Sequence, residues 1–319
     1  MVNTLFAGLL LGNSYVNMPP LPNPIQEIYP SAHGNGIVVA GGLRRDSDTG
    51  PLTIDSEVWW WNKGSDNWEP FPHLPAPRHH GMLVSVNDNL YLFGGFIDRN
   101  GQWFNTDSSL SLSAEGTSWY DVPSMPMPLS ETVSAVHGND IHFVTGRTPS
   151  SGKNGRWQDS IDTALHLIYT VDTQTWREGV SAPTARNSAC SVMVNGQWHV
   201  IGGRTVKGGN LPTHEVYSFT SKAWTTLPPL PEARGGLACS QVDEIIYVFG
   251  GEFFDNGGGV YSTVFAYDTE SNKWFDIGEM PVPKHGLGSV SLGGDIYLIG
   301  GAEQAGARNT SRQVERFRP

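Results

Sequence analysis

One interval of fixed length recurs six times along this chain of 319 residues. An aromatic residue is followed 26 positions later by a Gly-Gly pair, or by Thr-Gly in one copy. The intervals run from 15 to 41, 68 to 94, 119 to 145, 176 to 202, 224 to 250 and 274 to 300. The distance from each pair to the next aromatic varies instead, over 27, 25, 31, 22 and 24 residues. The pattern predicts a rigid scaffold that carries loops of variable length on one face, and function is expected on that face.

Each copy of the interval is predicted to form a small antiparallel sheet. Short apolar runs such as NLYLFGG (89–95) and IYVFGG (246–251) alternate with clusters of Gly, Pro, Asn and Asp. Runs of β-branched and aromatic residues favour strands, and a period of roughly 50 residues with four strands is typical of propeller blades. The fold class expected is therefore all-β, a six-bladed β-propeller.

The two ends of the chain are expected to complete one blade together. The segment QVERF (313–317) matches the third-strand segment EVWWW (57–61), but no Trp follows it. The missing outer strand is therefore predicted at YVNMPPLP (15–22), so that residues 1–319 make a single domain preceded by an apolar leader at 1–14. Closing the ring in this way removes an open sheet edge that would invite pairing with other chains.

Composition limits the classes of partner. The net charge of −11 argues against nucleic acid or an anionic membrane surface. No apolar run reaches the roughly 18 residues that span a bilayer. Residues 1–12 are apolar but lack the basic start of a secretory signal. We expect a cytoplasmic protein, with a periplasmic or secreted location as the alternative if residues 1–12 are the remnant of a signal.

The two cysteines, Cys190 and Cys239, fall in the predicted inner strands of adjacent blades. A disulfide requires Cα atoms within about 7 Å, and inner strands around a propeller axis are usually farther apart. The sequence therefore favours two buried free thiols.

The repeats resemble the kelch family, in which a glycine pair follows an aromatic residue and a tryptophan comes later. Tyr91, Tyr247 and Tyr297 stand before their glycine pairs, while Thr145-Gly146 departs from the pattern. The resemblance covers essentially the whole chain and implies the propeller fold. It implies little about function, because one scaffold hosts unrelated sites.

A first set of candidate binding residues stands ten positions after each aromatic. Its members are Ile25, Arg78, Leu129, Arg186, Arg234 and Lys284. Four of the six are cationic and are expected at the channel mouth, where they would form a cradle for an anion, since Arg presents a planar fork suited to carboxylates. The alternative is that each satisfies backbone carbonyls at its own turn, because the kelch pattern often has Arg here.

A second set lies in the variable loops. Its charged members are Arg44, Arg45, Asp98, Arg99, Arg147, Arg156, Arg204, Glu252, Glu303 and Arg308, and its aromatic members are Trp103, Trp157, Phe253, Phe254 and Tyr261. Aromatic rings beside paired polar groups suit stacking on a sugar or another small polar ligand. The alternative is solvated loop charge with aromatics packed on neighbouring blades.

Histidines complete the candidates. His79, His80 and His285 follow the cationic set by one or two residues. A metal would need about three ligands converging in a regular geometry, and their placement on two separate blades argues against it. The chain also has neither a P-loop nor a Gly-x-Ser-x-Gly elbow. No metal and no cofactor are expected.

The loop GGAEQAGARNT (300–310) resembles that of bacterial sialic-acid mutarotases, kelch proteins in which an acid after the glycines acts as base beside an arginine. The resemblance implies these roles for Glu303 and Arg308. Glu252, directly after Gly251, is the alternative base, and His79, His80 or His285 would return the proton. We therefore expect an isomerase or mutarotase that binds an anionic or polyhydroxylated, sugar-acid-like small molecule at the channel mouth.

A protein-interaction propeller that reads an acidic peptide on the same face is the second hypothesis. The sequence shows no appended adaptor domain of the kind such proteins usually carry, which favours the enzyme.

Overall fold

The computed structural model describes residues 13–45, 50–150 and 152–319. These residues form six antiparallel sheets of four principal strands each. The inner strand of each sheet contacts the inner strands of the two neighbouring sheets, and the last sheet contacts the first. The sheets are thus six blades in a closed ring around a central channel, as the repeat predicts.

The strands of each blade follow from inner to outer. Blades 1 to 3 consist of Ser31–His33, Gly36–Arg44, Thr53–Asn62 and Glu69–Phe71; Met82–Val86, Asn89–Phe93, Ser109–Leu112 and Trp119–Val122; and Val133–His137, Asp140–Val144, His166–Thr170 and Thr175–Glu178. Blades 4 to 6 consist of Cys190–Val194, Gln197–Ile201, His214–Ser218 and Ala223–Thr226; Gly235–Val242, Ile245–Phe253, Thr263–Asp268 and Lys273–Glu279; and Gly288–Leu292, Asp295–Ile299, Val314–Arg318 and Ser14–Asn17.

The variable loops carry short elements of their own. Their strands are Phe96–Arg99, Gln102–Asn105, Arg147–Pro149, Ser160–Asp162, Gly259–Val260, Ala302–Gln304 and Arg308–Thr310, and their 3-10 turns are Trp157–Asp159 and Asp255–Gly257. A further short strand, Arg78–His79, lies in the connection that precedes blade 2. Among the described residues, no helix is long and apolar enough to cross a membrane.

The N-terminal strand closes blade 6, which confirms that prediction. Tyr15 pairs with Phe317, and their rings lie 5.1 Å apart. The strand is shorter than the predicted 15–22 and ends at Asn17, because the two prolines that follow have no N–H to donate. Met18 and Leu21 still donate to carbonyls of the C-terminal segment. Residues 1–12 of the proposed leader lie outside the described residues.

The tryptophan of each repeat joins neighbouring blades. Its indole N–H donates to a backbone carbonyl four residues after the aromatic of the preceding repeat. The pairs are Trp68 to Pro19, Trp119 to Pro72, Trp176 to Pro123, Trp224 to Val180 and Trp274 to Pro228, at 2.8 to 2.9 Å. The repeated tryptophan therefore ties each blade to the blade before it.

The glycine pairs make a second contact between blades. A Cβ at Gly94 would lie 2.1 Å from the carbonyl oxygen of Leu129, and one at Gly250 would lie 2.0 Å from that of Lys284. Both glycines have left-handed φ values, 57° and 60°, which residues with a Cβ adopt at a cost. Thr145 nevertheless holds the same conformation in blade 3, with φ 62°. The carbonyl ten positions after each aromatic is therefore a docking point for the preceding blade.

Cys190 and Cys239 form a disulfide, so the prediction of free thiols is wrong. Their Cα atoms are 5.7 Å apart, because the inner strands of blades 4 and 5 converge more closely than expected. At the next seam a hydrogen bond of 3.0 Å joins Ser240 Oγ to Ser289 Oγ. The channel wall is thus tied covalently at one seam and by serine side chains at another.

Candidate functional site

The channel ends, on the side of the variable loops, in a ring of six residues that we call the axis ring. Each member stands twelve positions after the aromatic of its repeat: Glu27, His80, Glu131, Ser188, Gly236 and Gly286. All six have φ between 49° and 69°. Left-handed backbone is uncommon for residues other than glycine, and such strain often accompanies functional sites.

Backbone hydrogen bonds link the axis ring from blade to blade. The N–H of Glu27 donates to the carbonyl of Gly286 at 2.7 Å, and Gly286 donates to Gly236 at 2.9 Å. Gly236 donates to Ser188 at 2.9 Å, and the series continues from Ser188 to Glu131 at 3.2 Å. His80 donates to Glu27 at 3.1 Å. The ring fixes the Cα positions from which the side chains at positions 27, 80, 131 and 188 reach the mouth.

A second layer comes from the residue that follows each glycine pair by one position. It pairs with the residue just before the axis ring in the same repeat, as Arg147 does with Ser130 and Arg204 with Asn187. The same geometry positions Glu252 opposite Gly235. Three charged side chains from blades 3, 4 and 5 are thereby brought beside the axis ring.

These layers enclose a cavity of about 410 Å³. Its charged lining residues are Glu27, Glu131, Arg204 and Glu252, its histidines are His79 and His80, and its aromatic side chains are Phe96, Trp103, Trp157 and Phe254. Among the described residues, no group of three or more His, Cys, Asp or Glu side chains has a metal-binding arrangement. The cavity combines ionised groups with aromatic walls, a combination that is common in the small-molecule sites of proteins.

Glu252 is buried and fully engaged. Its Oε1 pairs with Arg204 Nη1 at 2.5 Å, and its Oε2 accepts the N–H of Gly306 at 2.8 Å. His285 Nδ1 lies 3.4 Å from Oε2. The His285 Nε2 atom is 2.9 Å from the carbonyl oxygen of Gly306, so it carries a proton as donor. These contacts hold the carboxylate in one orientation at the cavity wall.

Glu131 forms the second buried ion pair. Arg147 Nε is 3.1 Å from its Oε1, and Ser188 Oγ donates to its Oε2. Burial raises the pKa of Glu131, but the charges of Arg147, His80 and Arg204 and the serine hydrogen bond outweigh burial, so the net pKa lies below the usual value. Glu131 is therefore an anion in the folded protein.

Glu27 forms the third pair. Its Oε2 lies 2.8 Å from His80 Nε2, and its Oε1 lies 3.7 Å from His285 Nδ1. Burial raises the pKa of Glu27, but His80 lowers it through charge and hydrogen bonding, with a net pKa well below the usual value. Burial lowers the pKa of His80, but the charge and hydrogen bond of Glu27 raise it by more, so the net pKa of His80 is above the usual value.

Seven of the predicted site residues meet at this cavity. Glu252, Arg204, His79, His80, Trp103, Trp157 and Phe254 line it. Arg147 and His285 contact residues that line the cavity. The Arg147 guanidinium lies 3.6 Å from the centre of the Trp157 ring, and the His285 ring lies beside the carboxylates of Glu252 and Glu27.

The anion cradle predicted from Arg78, Arg186, Arg234 and Lys284 is wrong. All four are buried, and each head group turns into its own blade. Arg78 donates to the carbonyls of Gly94 and Ser108. The remaining pairs are Arg186 with Glu215, Arg234 with the carbonyls of Gly250 and Thr263, and Lys284 with Glu315. A buried cation must be paired locally, so these residues stabilise blades. The alternative interpretation holds for the three arginines, which all donate to backbone carbonyls, whereas Lys284 pairs with a carboxylate instead.

Three further predicted site residues lie outside the cavity lining. Glu303 and Arg308 belong to the hairpin of Ala302–Gln304 and Arg308–Thr310. Glu303 accepts from Asn309 Nδ2 at 2.8 Å, whereas Arg308, which is exposed, reaches the carbonyl of Ala305. Phe253 packs on Tyr261, with ring centres 5.1 Å apart. The base proposed at Glu303 beside Arg308 is therefore not supported, because Gly306 and Ala307 of this hairpin line the cavity whereas Glu303 and Arg308 do not.

Glu27 and Glu131 were missed by the sequence reasoning. Each stands two residues after one of the two apolar members of the first candidate set, Ile25 and Leu129. An alignment of the six repeats at offset twelve gives Glu, His, Glu, Ser, Gly and Gly. A repeated position that carries such different polar residues is the signal that could have identified them.

Comparison with known proteins agrees with the architecture. The model for the KLHDC2/KLHL20/DRC7 Kelch-repeats domain matches residues 30–251, and the Kelch motif matches residues 233–281. Kelch-like protein terF of Aspergillus terreus is 27% identical over 100% of this chain and 74% of that protein. Kelch-like protein 35 of Mus musculus is 25% identical over 86% of this chain. The chain spans only 43% of that second relative.

A solved structure, titled "Structure of YjhT", matches with a TM-score of 0.78 and 17% identity over 93% of this chain and 96% of that one. At this identity the likeness supports the propeller fold alone. Because the first domain model covers well over half of the sequence, the chain belongs to the kelch-repeat family of β-propellers.

Proposed function

We propose that the cavity at the mouth is the active site of an isomerase that acts without a cofactor on a small polyhydroxylated, sugar-acid-like molecule. One observation carries the proposal: two acid–base systems lie on opposite walls of the cavity. Glu252 belongs to blade 5, while His79 and His80 lead into blade 2. In a ring of six, blades 2 and 5 face each other across the axis.

Opposed proton-transfer groups are what an isomerisation requires. A base on one side removes a proton, and an acid on the other side returns one, which inverts a centre or opens and closes a ring. General acid–base groups of this kind contribute about 10²- to 10⁴-fold to the rate. Glu252 is the base in the proposal, and the histidine pair is the acid. The two roles exchange in the reverse reaction.

The walls suit a sugar more than a compact multiply charged anion. Trp103, Trp157 and Phe254 offer flat apolar faces to a pyranose ring. The cations near the cavity are already paired, Arg204 with Glu252 and Arg147 with Glu131. Arg147 nevertheless has two amino groups without hydrogen-bond partners among the described residues, which leaves donors for one carboxylate behind Trp157.

The test follows isomer exchange in a panel of reducing sugars and sugar acids by NMR in D2O, which reports both anomer exchange and deuterium incorporation at carbon. We expect catalysis of at least one panel member and a loss of about 10²- to 10⁴-fold in Glu252→Gln, which keeps the shape but not the basicity. Glu303→Gln, outside the cavity, is the matched control. No acceleration of any panel member by the wild type, or equal rates in both variants, contradicts the proposal.

Binding of a peptide at the same mouth is a second candidate, favoured by the exposed aromatic rim. Phe254 and Trp157 are 62% and 43% exposed. The acidic specificity expected from the cationic set has lost its basis, since those side chains lie within blades. Peptide binding that depends on both rim aromatics, with no sugar turnover, would favour this candidate over the enzyme.

A further inference from the structure

We propose that Glu27, His80 and His79 form a proton relay whose reacting atom is His79 Nε2. The proposal rests on the function proposed above and adds to it a named terminal atom and a charge-storing residue. Glu27 Oε2 lies 2.8 Å from His80 Nε2, and His80 Nδ1 lies 2.7 Å from His79 Nδ1. His79 Nε2 is buried without a hydrogen-bond partner among the described residues.

The contact between the two rings couples their tautomers. Two imidazole nitrogens at this distance share one proton, because a neutral ring offers one donor and one acceptor. When His80 is neutral and donates from Nε2 to Glu27, its Nδ1 must accept from His79 Nδ1. His79 Nε2 then carries a lone pair. When His80 is protonated at both nitrogens, His79 Nδ1 must accept, and His79 Nε2 carries the proton.

The proton balance of the step follows from this coupling. A substrate X–H bond breaks as its proton moves to His79 Nε2. The His79 Nδ1–H bond breaks as a His80 Nδ1–H bond forms. The electron pair of X–H stays on the substrate, and the positive charge stays on His80 beside the Glu27 carboxylate. The reverse sequence delivers a proton from His79 Nε2 to the substrate.

The surroundings explain why the charge rests on His80 rather than on His79. His79 lies between Phe96 and Trp103, with ring centres 5.1 and 4.5 Å away. Burial, together with the charge of His80, holds the pKa of His79 well below its usual value. The charged groups that act on His80 are Glu27, Glu131 and Arg204, and the Tyr29 ring lies 6.2 Å away. Burial lowers the pKa of His80, but the two anions and the hydrogen bond to Glu27 outweigh burial and the single guanidinium together, so the net pKa of His80 is raised.

The backbone fixes the positions of the side chains in the relay. Glu27 and His80 are axis-ring neighbours joined by a backbone hydrogen bond of 3.1 Å as well as by their side chains. Gly286 leaves room for the carboxylate, because a Cβ there would lie 2.9 Å from Glu27 Cδ. Trp103 belongs to the strand Gln102–Asn105 in a loop hairpin; its ring contacts the His79 ring edge-on, and both side chains line the cavity.

The test is long-range proton–nitrogen NMR of the ligand-free protein labelled with ¹⁵N-histidine, assigned with His79→Gln and His80→Gln. We expect His80 to titrate above 6.5, its ordinary pKa. As His80 takes up its proton, the His79 signals should change from the Nδ1–H to the Nε2–H tautomer. Glu27→Gln should lower the pKa of His80 and shift the His79 transition with it, while Glu303→Gln should leave both unchanged.

A His79 ring that keeps one tautomer through the titration of His80, or that takes the charge itself, overturns the relay. Because this readout needs no substrate, it separates the relay from the proposed function. A tautomer change without turnover of any sugar supports the relay and counts against the isomerase. Turnover that depends on Glu252 but whose pH profile is unmoved by Glu27→Gln counts against the relay alone.

Discussion

Two rings of residues, only two positions apart in every repeat, have opposite roles in this propeller. The residues ten positions after the aromatic (offset ten) present backbone carbonyls to the glycine pair of the preceding blade, and the four that are cationic bury their head groups inside their own blades. The residues at offset twelve adopt left-handed backbone and reach the axis. The first ring has three arginines, one lysine and two apolar residues, whereas the second has two acids, a histidine, a serine and two glycines. Uniformity across repeats therefore marks the scaffold here, and diversity marks the site.

The largest effect that separates the rings is expected for stability. Arg186→Met leaves the Glu215 carboxylate buried without its cation, since the two groups are 2.6 Å apart and both side chains are almost inaccessible. Breaking such a pair costs about 3–5 kcal/mol, whereas replacing both members by apolar residues is often nearly neutral. We expect Arg186→Met to lower the free energy of unfolding by that amount in denaturant titrations, and Arg186→Met with Glu215→Met to recover most of it.

At offset twelve, Glu27→Gln should cost less, because its partner His80 can release its proton instead of remaining a buried charge. If Arg186→Met costs under about 1 kcal/mol, or if Glu27→Gln is the more damaging change, the division between scaffold and site fails.

A second effect is expected for the pH dependence of stability, where histidines inside blades contrast with His80. Burial lowers the pKa values of His142 and His214 to about 3 and those of His166 and His199 to about 4. These rings are neutral in the folded protein, while the unfolded chain binds protons below its ordinary pKa of 6.5. The free energy of unfolding should therefore fall as pH drops from 6.5 toward 4.

His80 has the opposite sign, because its raised pKa contributes stability below 6.5 that is lost as pH rises through the folded-state value. Unfolding midpoints at pH 7, 6, 5 and 4.5 measure the balance. His199→Gln with His214→Gln should flatten the slope, since that hydrogen-bonded pair is buried between blades 4 and 5. A wild-type stability that does not change between pH 6.5 and 4.5 contradicts the assignment.

The fold was predictable because the repeat records seam geometry directly. The 26-residue interval spans an indole that bonds the preceding repeat and a glycine pair that docks on the following one. Both requirements are local and restrict the residue type at a fixed position, so they can be recognised in the sequence. The closing strand at Tyr15 followed from the same interval.

The site was only partly predictable, since it depends on the directions in which side chains turn. Arg78 and His80 stand two residues apart, yet one enters its blade and the other the mouth. That difference arises from the left-handed φ at His80, which the sequence does not reveal. Glu27 and Glu131 follow the two apolar members of the first candidate set, Ile25 and Leu129, and they meet the cavity only once the ring has closed. The Cys190–Cys239 bond was missed for the same reason, because it depends on how closely two inner strands converge.

The central claim is that ligands bind at the axis ring and do not contact the interior of the blades. One histidine NMR titration tests it most directly. The mouth histidines His79, His80 and His285 and the four histidines inside blades report on the two regions in one spectrum. Addition of reducing sugars and sugar acids should shift the mouth signals saturably and leave the blade signals in place. Shifts confined to the blade histidines, or no shift with any sugar of the panel, would contradict the account.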